Sequence, residues 1–254
     1  LSESYWCAFD VAARGQREPF IGSEQDAVEE LERRLREAIA GQMVADVPLG
    51  AFLSGGVDSS TVVALMQAQS PRPVKTFSIG FFEAGYNEAE HAKAVAQHLG
   101  TDHTELYVTP KEAQMVIPAL PGLYDEPFSD SSQIPTFLVA QLARQHVTVS
   151  LSGDGGDELF GGYDRYFLAR SLWNKLGRLP PSARKAIAGM IRLLTAENWT
   201  RLAAPATWMA GGSLRHRSVG DRAYKLAEIL LADAPEVLYR QMVSHWKQPE
   251  QIAI

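Results

Sequence analysis

The chain has 254 residues, 46% of them hydrophobic and 21% charged, an ordinary globular composition with ample material for a core in one large domain or two small ones. Its single cysteine, Cys7, excludes an internal disulfide and suits a reducing, cytoplasmic compartment. No apolar stretch approaches the length of a membrane span, and Leu1-Ser2-Glu3-Ser4 does not open a signal peptide.

The net charge of −6 is unevenly spread, because Tyr163 to Arg217 holds ten basic residues and two acids. Such a segment can attract phosphate or nucleic acid, but a solvated helical surface is the simpler reading. The absent initiator Met and the ending Gln251-Ile252-Ala253-Ile254 suggest a piece of a longer protein.

Residues 1–22 show little periodicity and read as a linker or arm. Val28, Leu31, Leu35, Ile39 and Met43 then recur at helical spacing, with Ser23 as the predicted N-cap and acids in the first turns. A strand is predicted over Leu49 to Leu53, then a glycine-rich turn and a helix over Asp58 to Ala68. Pro71 and Pro73 break the chain before a second strand, Val74 to Phe81. A helix over Asn87 to Leu99 stops at Gly100, and a third strand spans Thr104 to Val108. Pro110 opens another helix, Ile134 to His146 is helical, and Val147 to Leu151 is a fourth, short strand. After Tyr163 the β signals fade, and helices are expected at Arg165–Trp173, Ser182–Leu194, Arg222–Ala232 and Pro235–Trp246. Alternation of this kind predicts an α/β fold: a mostly parallel sheet flanked by helices, with an all-helical C-terminal extension.

Chemistry concentrates in two turns. The first is Ser54-Gly55-Gly56-Val57-Asp58-Ser59-Ser60, after the first strand. Glycines let the backbone approach an anion closely, and the helix N-terminus that follows adds partial positive charge. The turn lacks the lysine of the common nucleotide loop and carries Asp58 instead, so a carboxylate beside phosphates implies Mg²⁺. Ser54 and Ser59 can add hydroxyl hydrogen bonds to phosphate oxygens. The second turn, Leu151-Ser152-Gly153-Asp154-Gly155-Gly156-Asp157-Glu158-Leu159-Phe160-Gly161-Gly162-Tyr163, also follows a strand and is also acidic. If the two strands are neighbours, Asp58 and Asp157 could share a Mg²⁺ that stabilises departing pyrophosphate.

These residues carry a family resemblance. The first turn resembles the pyrophosphatase loop (PP-loop) of enzymes that split ATP between its α- and β-phosphates. Val47 to Ser60, Lys75 to Gly80 and Leu151 to Tyr163 together resemble the synthetase domain of glutamine-hydrolysing asparagine synthetases. The run Gly162-Tyr163-Asp164-Arg165-Tyr166 and Asp125-Glu126-Pro127-Phe128 add to the likeness, which covers about Ser23 to Tyr166. The resemblance implies an adenine nucleotide α-hydrolase-like fold, with a synthetase domain over 23–166 and a truncated helical extension over 167–254. It implies activation of a carboxylate, aspartate first, by ATP, with release of pyrophosphate and displacement of AMP by ammonia. By the same resemblance, Asp58 and Asp157 bind Mg²⁺, and Ser54, Gly55, Gly56, Ser59 and Ser60 surround pyrophosphate. Phe52 and Ile79 would lie near adenine and Ser152 and Gly153 near the nucleotide, while Asp154 and Glu158 would face the acyl-adenylate as catalytic residues. Asp154 stands where familiar bacterial members have glutamate, which leaves substrate identity open.

The glutaminase half, whose nucleophile is an N-terminal cysteine, is expected upstream, because Cys7 cannot supply its own terminal amine as base. The expected partners are therefore a small carboxylate and ammonia from a glutaminase domain, with no membrane and no nucleic acid; a homodimer is a further expectation. A family lysine expected downstream has only Lys225 and Lys247 as candidates by residue type. His91, His98, His103, His146, His216 and His245 lack metal-ligand spacing and read as structural or surface residues. Trp173, Trp199, Trp208, Trp246 and Tyr239 are expected to pack helices rather than stack bases. Two alternatives stay open: the same chemistry on a uronic acid or a β-amino acid, and a tRNA-modifying adenylating enzyme that uses the basic segment. The piece itself could also be inactive.

Overall fold

The computed structural model describes residues 4–82, 87–126, 130–209 and 219–244. Pro127, Phe128, Arg215, His216, Arg217, His245, Trp246 and Lys247, named above, lie outside the described residues, as does the side chain of Trp208. The chain divides into two compact units, Leu1–Gly155 and Gly156–Ile254. The division falls within the second glycine-rich turn, so the acidic helix that follows belongs with the helical unit.

The first unit opens with α1 (Ala8–Arg17), where the sequence suggested a linker; none of its residues is buried. Helix α2 (Glu24–Gln42) starts at the expected cap. Ser23 N–H donates to Asp26 Oδ2 at 2.8 Å, and Asp26 N–H donates to Ser23 Oγ at 3.2 Å, a reciprocal capping box. Strand β1 (Leu49–Phe52) leads to α3 (Val57–Gln69), β2 (Lys75–Phe81), α4 (Ala89–Leu99) and β3 (Asp102–Val108). Then come α5 (Pro110–Val116), a 3₁₀ turn (Ile117–Ala119), α6 (Leu120–Leu123), α7 (Gln133–Ala143) and β4 (Val149–Leu151).

The four strands form one parallel sheet in the order β3-β2-β1-β4. From β1 the chain builds outward through β2 and β3, then returns to place β4 on the other side of β1. The order therefore reverses between β1 and β4, and ligands of open α/β sheets bind at such a reversal, beyond the carboxyl ends of the strands.

Side-chain alternation assigns the faces. Ala51 and Leu53 pack with Ile39 of α2, Val63 and Met66 of α3, and Ala92 and Ala96 of α4. On the other face Phe77 packs with Leu142, Ala143 and Val147, and Phe52 leans on that cluster. Val108, Val116 and Leu138 continue it, with Ile79 and Phe81 alongside. Both faces are covered by helices, as a parallel sheet requires.

One part of the α4-side face is polar. Thr76 is fully buried and Ser78 nearly so. His103, the register partner of Thr76, pairs through Nδ1 with Thr76 Oγ1 at 2.9 Å and through Nε2 with Ser78 Oγ at 3.2 Å. Burial holds the imidazole below its ordinary value of 6.5, with Lys93 adding to the shift and Glu105 opposing it. The unfolded chain therefore binds more protons than the folded one as pH falls through 6.5, and stability declines toward acid. One such group contributes a slope of at most about 1.4 kcal/mol per pH unit. His103→Gln should flatten the dependence of the urea midpoint on pH between about 6.5 and 5. A slope unchanged by the substitution would contradict the assignment.

The second unit is helical among its described residues: α8 (Gly156–Phe160), α9 (Asp164–Leu176), α10 (Pro181–Arg192), α11 (Ala196–Met209), α12 (Val219–Leu230) and α13 (Pro235–Val243). Leu176, Ala188, Ala227, Leu230, Ala232 and Leu238 form its core, with Trp173 packed against them. Trp199 Nε1 donates to Ile191 O at 2.8 Å, so this aromatic also serves helix packing. Arg184 Nη1 donates to Ala232 O at 2.7 Å and Arg165 lies over the Tyr163 ring, so two cations of the basic segment serve the unit's own packing.

Candidate functional site

Strand β1 delivers the first turn rigidly. Leu53 is 1% exposed, and its N–H still donates to Phe77 O at 2.9 Å, so the sheet holds the chain up to the residue before Ser54. Gly55 has φ +81°, in the left-handed region, and a Cβ there would stand 2.6 Å from Ala92 N of α4. Backbone conformation and close approach both demand glycine at this position.

The turn is braced from within by two serines. Ser59, buried at 8% exposure, accepts from Ser54 N–H at 3.2 Å and pairs with Ser54 Oγ at 2.9 Å. Its hydroxyl also reaches Gly56 O at 3.3 Å, while Ser54 Oγ accepts from Gly56 N–H at 3.3 Å. The Ser54 and Ser59 hydroxyls thus bond to each other within the turn, and Ser54 is the exposed residue of the two. Helix α3 begins at Val57 with Gly56 as a cap that makes no side-chain hydrogen bond. The first N–H groups of a helix have no partner in the helix itself, and with no side-chain cap they suit an anion. Asp58, half-buried, stands in that first turn.

Gly153 brings the second turn to the first. A Cβ at Gly153 would stand 2.7 Å from Ser59 N and 2.9 Å from Asp58 C, so its backbone lies directly on the first turn of α3. Ser152 Oγ donates to Asp154 Oδ2 at 3.0 Å and accepts from Asp154 N–H at 3.4 Å, which fixes the bend and leaves Asp154 exposed.

The other expected residues fall in three places. Phe52 and Ile79 share the α7-side face near the ends of β1 and β2, because Phe52 is in register with Phe77, two residues before Ile79. Ser60 does not point toward the turn. It lines a groove between α3 and α4 with Val57, Thr61, Ala64, Ala94, Val95, His98 and Leu99, and its Oγ is buried without a hydrogen-bond partner. Successive helical residues diverge by about 100°, so Ser59 and Ser60 cannot serve the same face. Asp157 and Glu158 occupy the first turn of α8 in the helical unit.

Glu158 has a partner that residue spacing did not reveal. Tyr163 O–H donates to Glu158 Oε1 at 2.7 Å, and this bond is the first cause that holds the Glu158 carboxyl below the usual range. The same bond pushes Tyr163 up to about 12. Among the described residues no group of three or more His, Cys, Asp or Glu side chains could hold a metal alone. Mg²⁺ at nucleotide sites takes one or two carboxylates and completes its shell with phosphate and water, so Asp58 beside an uncapped helix end is a donor of the right type. No helix among the described residues is long and apolar enough to cross a membrane.

Residues 30–253 match the family model described as asparagine synthase. Asparagine synthetase 1 (glutamine-hydrolysing) of Bacillus subtilis strain 168 is 38% identical over 179 residues, 70% of this chain and 28% of that protein. A relative from Methanocaldococcus jannaschii, provisionally named asparagine synthetase 2 (glutamine-hydrolysing), is 45% identical over 144 residues, 56% of this chain and 28% of that protein. The matched part of the chain thus spans little more than a quarter of the length of these relatives. Among solved structures, the NH₃-dependent NAD synthetase of Campylobacter jejuni aligns with 53% of this chain and 60% of its own, at a TM-score of 0.37 and 15% identity, too distant to bear on the argument. The match across residues 30–253 and the identities to these relatives settle the kinship: the chain belongs to the asparagine synthase family.

Proposed function

We propose that this chain is the ATP-dependent synthetase part of an amide-forming ligase. It adenylates a carboxylate, the aspartate side chain first, and ammonia from a glutaminase part then gives asparagine and AMP. The supporting observation is that both glycine-rich turns follow adjacent parallel strands, β1 and β4, at the reversal of strand order, with Gly153 seated on the first turn of α3.

The chemistry follows from charge. A carboxylate is a poor electrophile until one oxygen becomes a good leaving group. Its oxygen attacks the α-phosphorus of ATP, the bond to the β-phosphate breaks, and pyrophosphate departs with the electron pair. The uncapped N–H groups at the start of α3 and the Ser54 hydroxyl hold the departing phosphates. Phe52 and Ile79 offer an apolar edge for adenine, with Gly153 and Ser152 beside the nucleotide. Mg²⁺ held by Asp58 would supply charge neutralisation as pyrophosphate forms. Asp154 is assigned to the second half, in which nitrogen attacks the acyl carbon, AMP leaves and a proton is released. Because Ser59 is buried and Ser60 lines the α3–α4 groove while Ser54 is exposed, the direct phosphate contacts are assigned to Ser54 and the backbone. A cytoplasmic setting belongs to the same reading.

The test is release of pyrophosphate by the full-length protein offered ATP with aspartate, a uronic acid or a β-amino acid. Aspartate-dependent release is expected. Release with another acid and none with aspartate would overturn the substrate while keeping the reaction class.

A further inference from the structure

The triphosphate of ATP is a polyanion, yet β1, α3 and the first turn of α4 carry no lysine or arginine. Lys93, the next cation along α4, is tied to Glu105 at 3.1 Å. The side chain that the fold brings to the first glycine-rich turn is His91. A Cβ on Gly55 would stand 2.8 Å from both the carbonyl carbon and the Cβ of His91, so the imidazole is rooted directly against the turn. Helix α4 follows β2, so it starts beyond the carboxyl ends of the strands, on the side where the turn lies. The Cα–Cβ bonds of a helix tilt toward its N-terminus, which leans a side chain of the first turn toward that side. His91 is exposed and makes no hydrogen bond or ion pair among the described residues. Both ring nitrogens are therefore uncommitted.

We propose that His91 is a contact residue for the β- and γ-phosphates of ATP, donating a ring N–H to the group that departs as pyrophosphate. The assignment rests on the ATP-splitting reading and deepens it. The two faces of the sheet indicate which phosphates are involved. Phe52 and Ile79, the edge assigned to adenine, lie on the α7 side, whereas Gly55 meets His91 on the α4 side. A nucleotide with its base on the first side and its phosphates in the turn crosses the carboxyl edge of the sheet. Its terminal phosphates then arrive beside His91. Imidazole offers an N–H in its neutral form as in its charged one, so the contact needs no change of protonation. A donor facing a charged acceptor makes one of the stronger hydrogen bonds, and here it stands in for the lysine of the common nucleotide loop.

The experiment measures binding to the full-length protein by calorimetry in the presence of Mg²⁺. The probes are α,β-methylene-ATP, which cannot be split at that bond, and AMP, which lacks the phosphates in question. His91→Ala should weaken the triphosphate about tenfold and AMP by less than about twofold. Alanine is the best helix former and the position is exposed, so the melting temperature should hold. His91→Gln keeps an N–H donor and should recover affinity for the triphosphate to within about threefold of the unmodified protein. In pyrophosphate exchange, KM for ATP and for pyrophosphate should rise together in His91→Ala, while KM for aspartate stays within about twofold. Equal weakening of the triphosphate and AMP would mean that the turn itself had moved and would overturn the contact. Glutamine no better than alanine would overturn the donor role. An unmodified protein that binds neither nucleotide would overturn the ATP-splitting reading and the contact with it, whereas unmodified and alanine proteins that bind the triphosphate equally well overturn the contact alone.

Discussion

Asp58→Asn in the full-length protein should lower aspartate-dependent pyrophosphate exchange by at least about a hundredfold, a transition-state loss of about 3 kcal/mol. Asparagine preserves shape at a half-buried position, and the backbone of residue 58 still meets Gly153 as before. The negative charge is what disappears. In the first turn of α3 that charge also favours the helix dipole, so a destabilisation of roughly 0.3–1 kcal/mol accompanies the change. That is too small to unfold a domain, and thermal melting separates it from the catalytic loss. The effect should appear mainly in the rate of adenylation and should not be rescued by more aspartate. Exchange within a few-fold of the unmodified protein would remove Asp58 from the metal site.

Gly153→Ala should damage both fold and activity, for a different reason. The added methyl would stand 2.7 Å from Ser59 N and 2.9 Å from Asp58 C. Both are backbone atoms of the first turn of α3, so no flexible side-chain tip can swing away. Overpacking of this kind destabilises by about 1–3 kcal/mol. The relief available is to push the second turn off the first, and a displacement near 1 Å in a positioned site lowers the rate about a hundredfold. The methyl also crowds Ser59 N–H, one of the groups expected to face phosphate, so KM for ATP should rise as well. A lowered melting temperature together with a raised KM for ATP is the expected signature. Unchanged values for both would mean that the two turns do not work as one site.

Much of this architecture could be read from residue order because local and global signals agree. Ser23 and Asp26 close a capping box, Gly100 ends α4 at φ +70°, and the apolar runs at β1 and β2 lie where expected. Other features were not legible, each for an identifiable reason. Helix α1 buries no residue, so no tertiary contact imposes a core stripe on its sequence. Helix α11 carries Asn198, Thr200 and Pro205, which weaken its local signal. Strand β4 begins at Val149, two residues later than expected, because the Val147 N–H still donates to Ala143 O at the end of α7, at 2.8 Å.

The candidate site shows the same division. Two glycine-rich turns after strands are a one-dimensional pattern, but their adjacency depends on β4 returning to pair with β1. Ser54, Ser59 and Ser60 look equivalent as residue types near one turn. The turn and the helix after it give them three fates: an exposed residue, a buried brace and a lining of the α3–α4 groove. The Glu158–Tyr163 bond joins residues five apart across the end of a short helix, a spacing that no regular element marks.

The central claim is that ATP is split between its α- and β-phosphates to activate a carboxylate. The direct measurement follows heavy oxygen from labelled aspartate through one turnover of the full-length protein with ATP and ammonia. The account predicts AMP and pyrophosphate as products, with one labelled oxygen transferred from the side-chain carboxylate to the phosphate of AMP. ADP and inorganic phosphate, or AMP free of label, would contradict it.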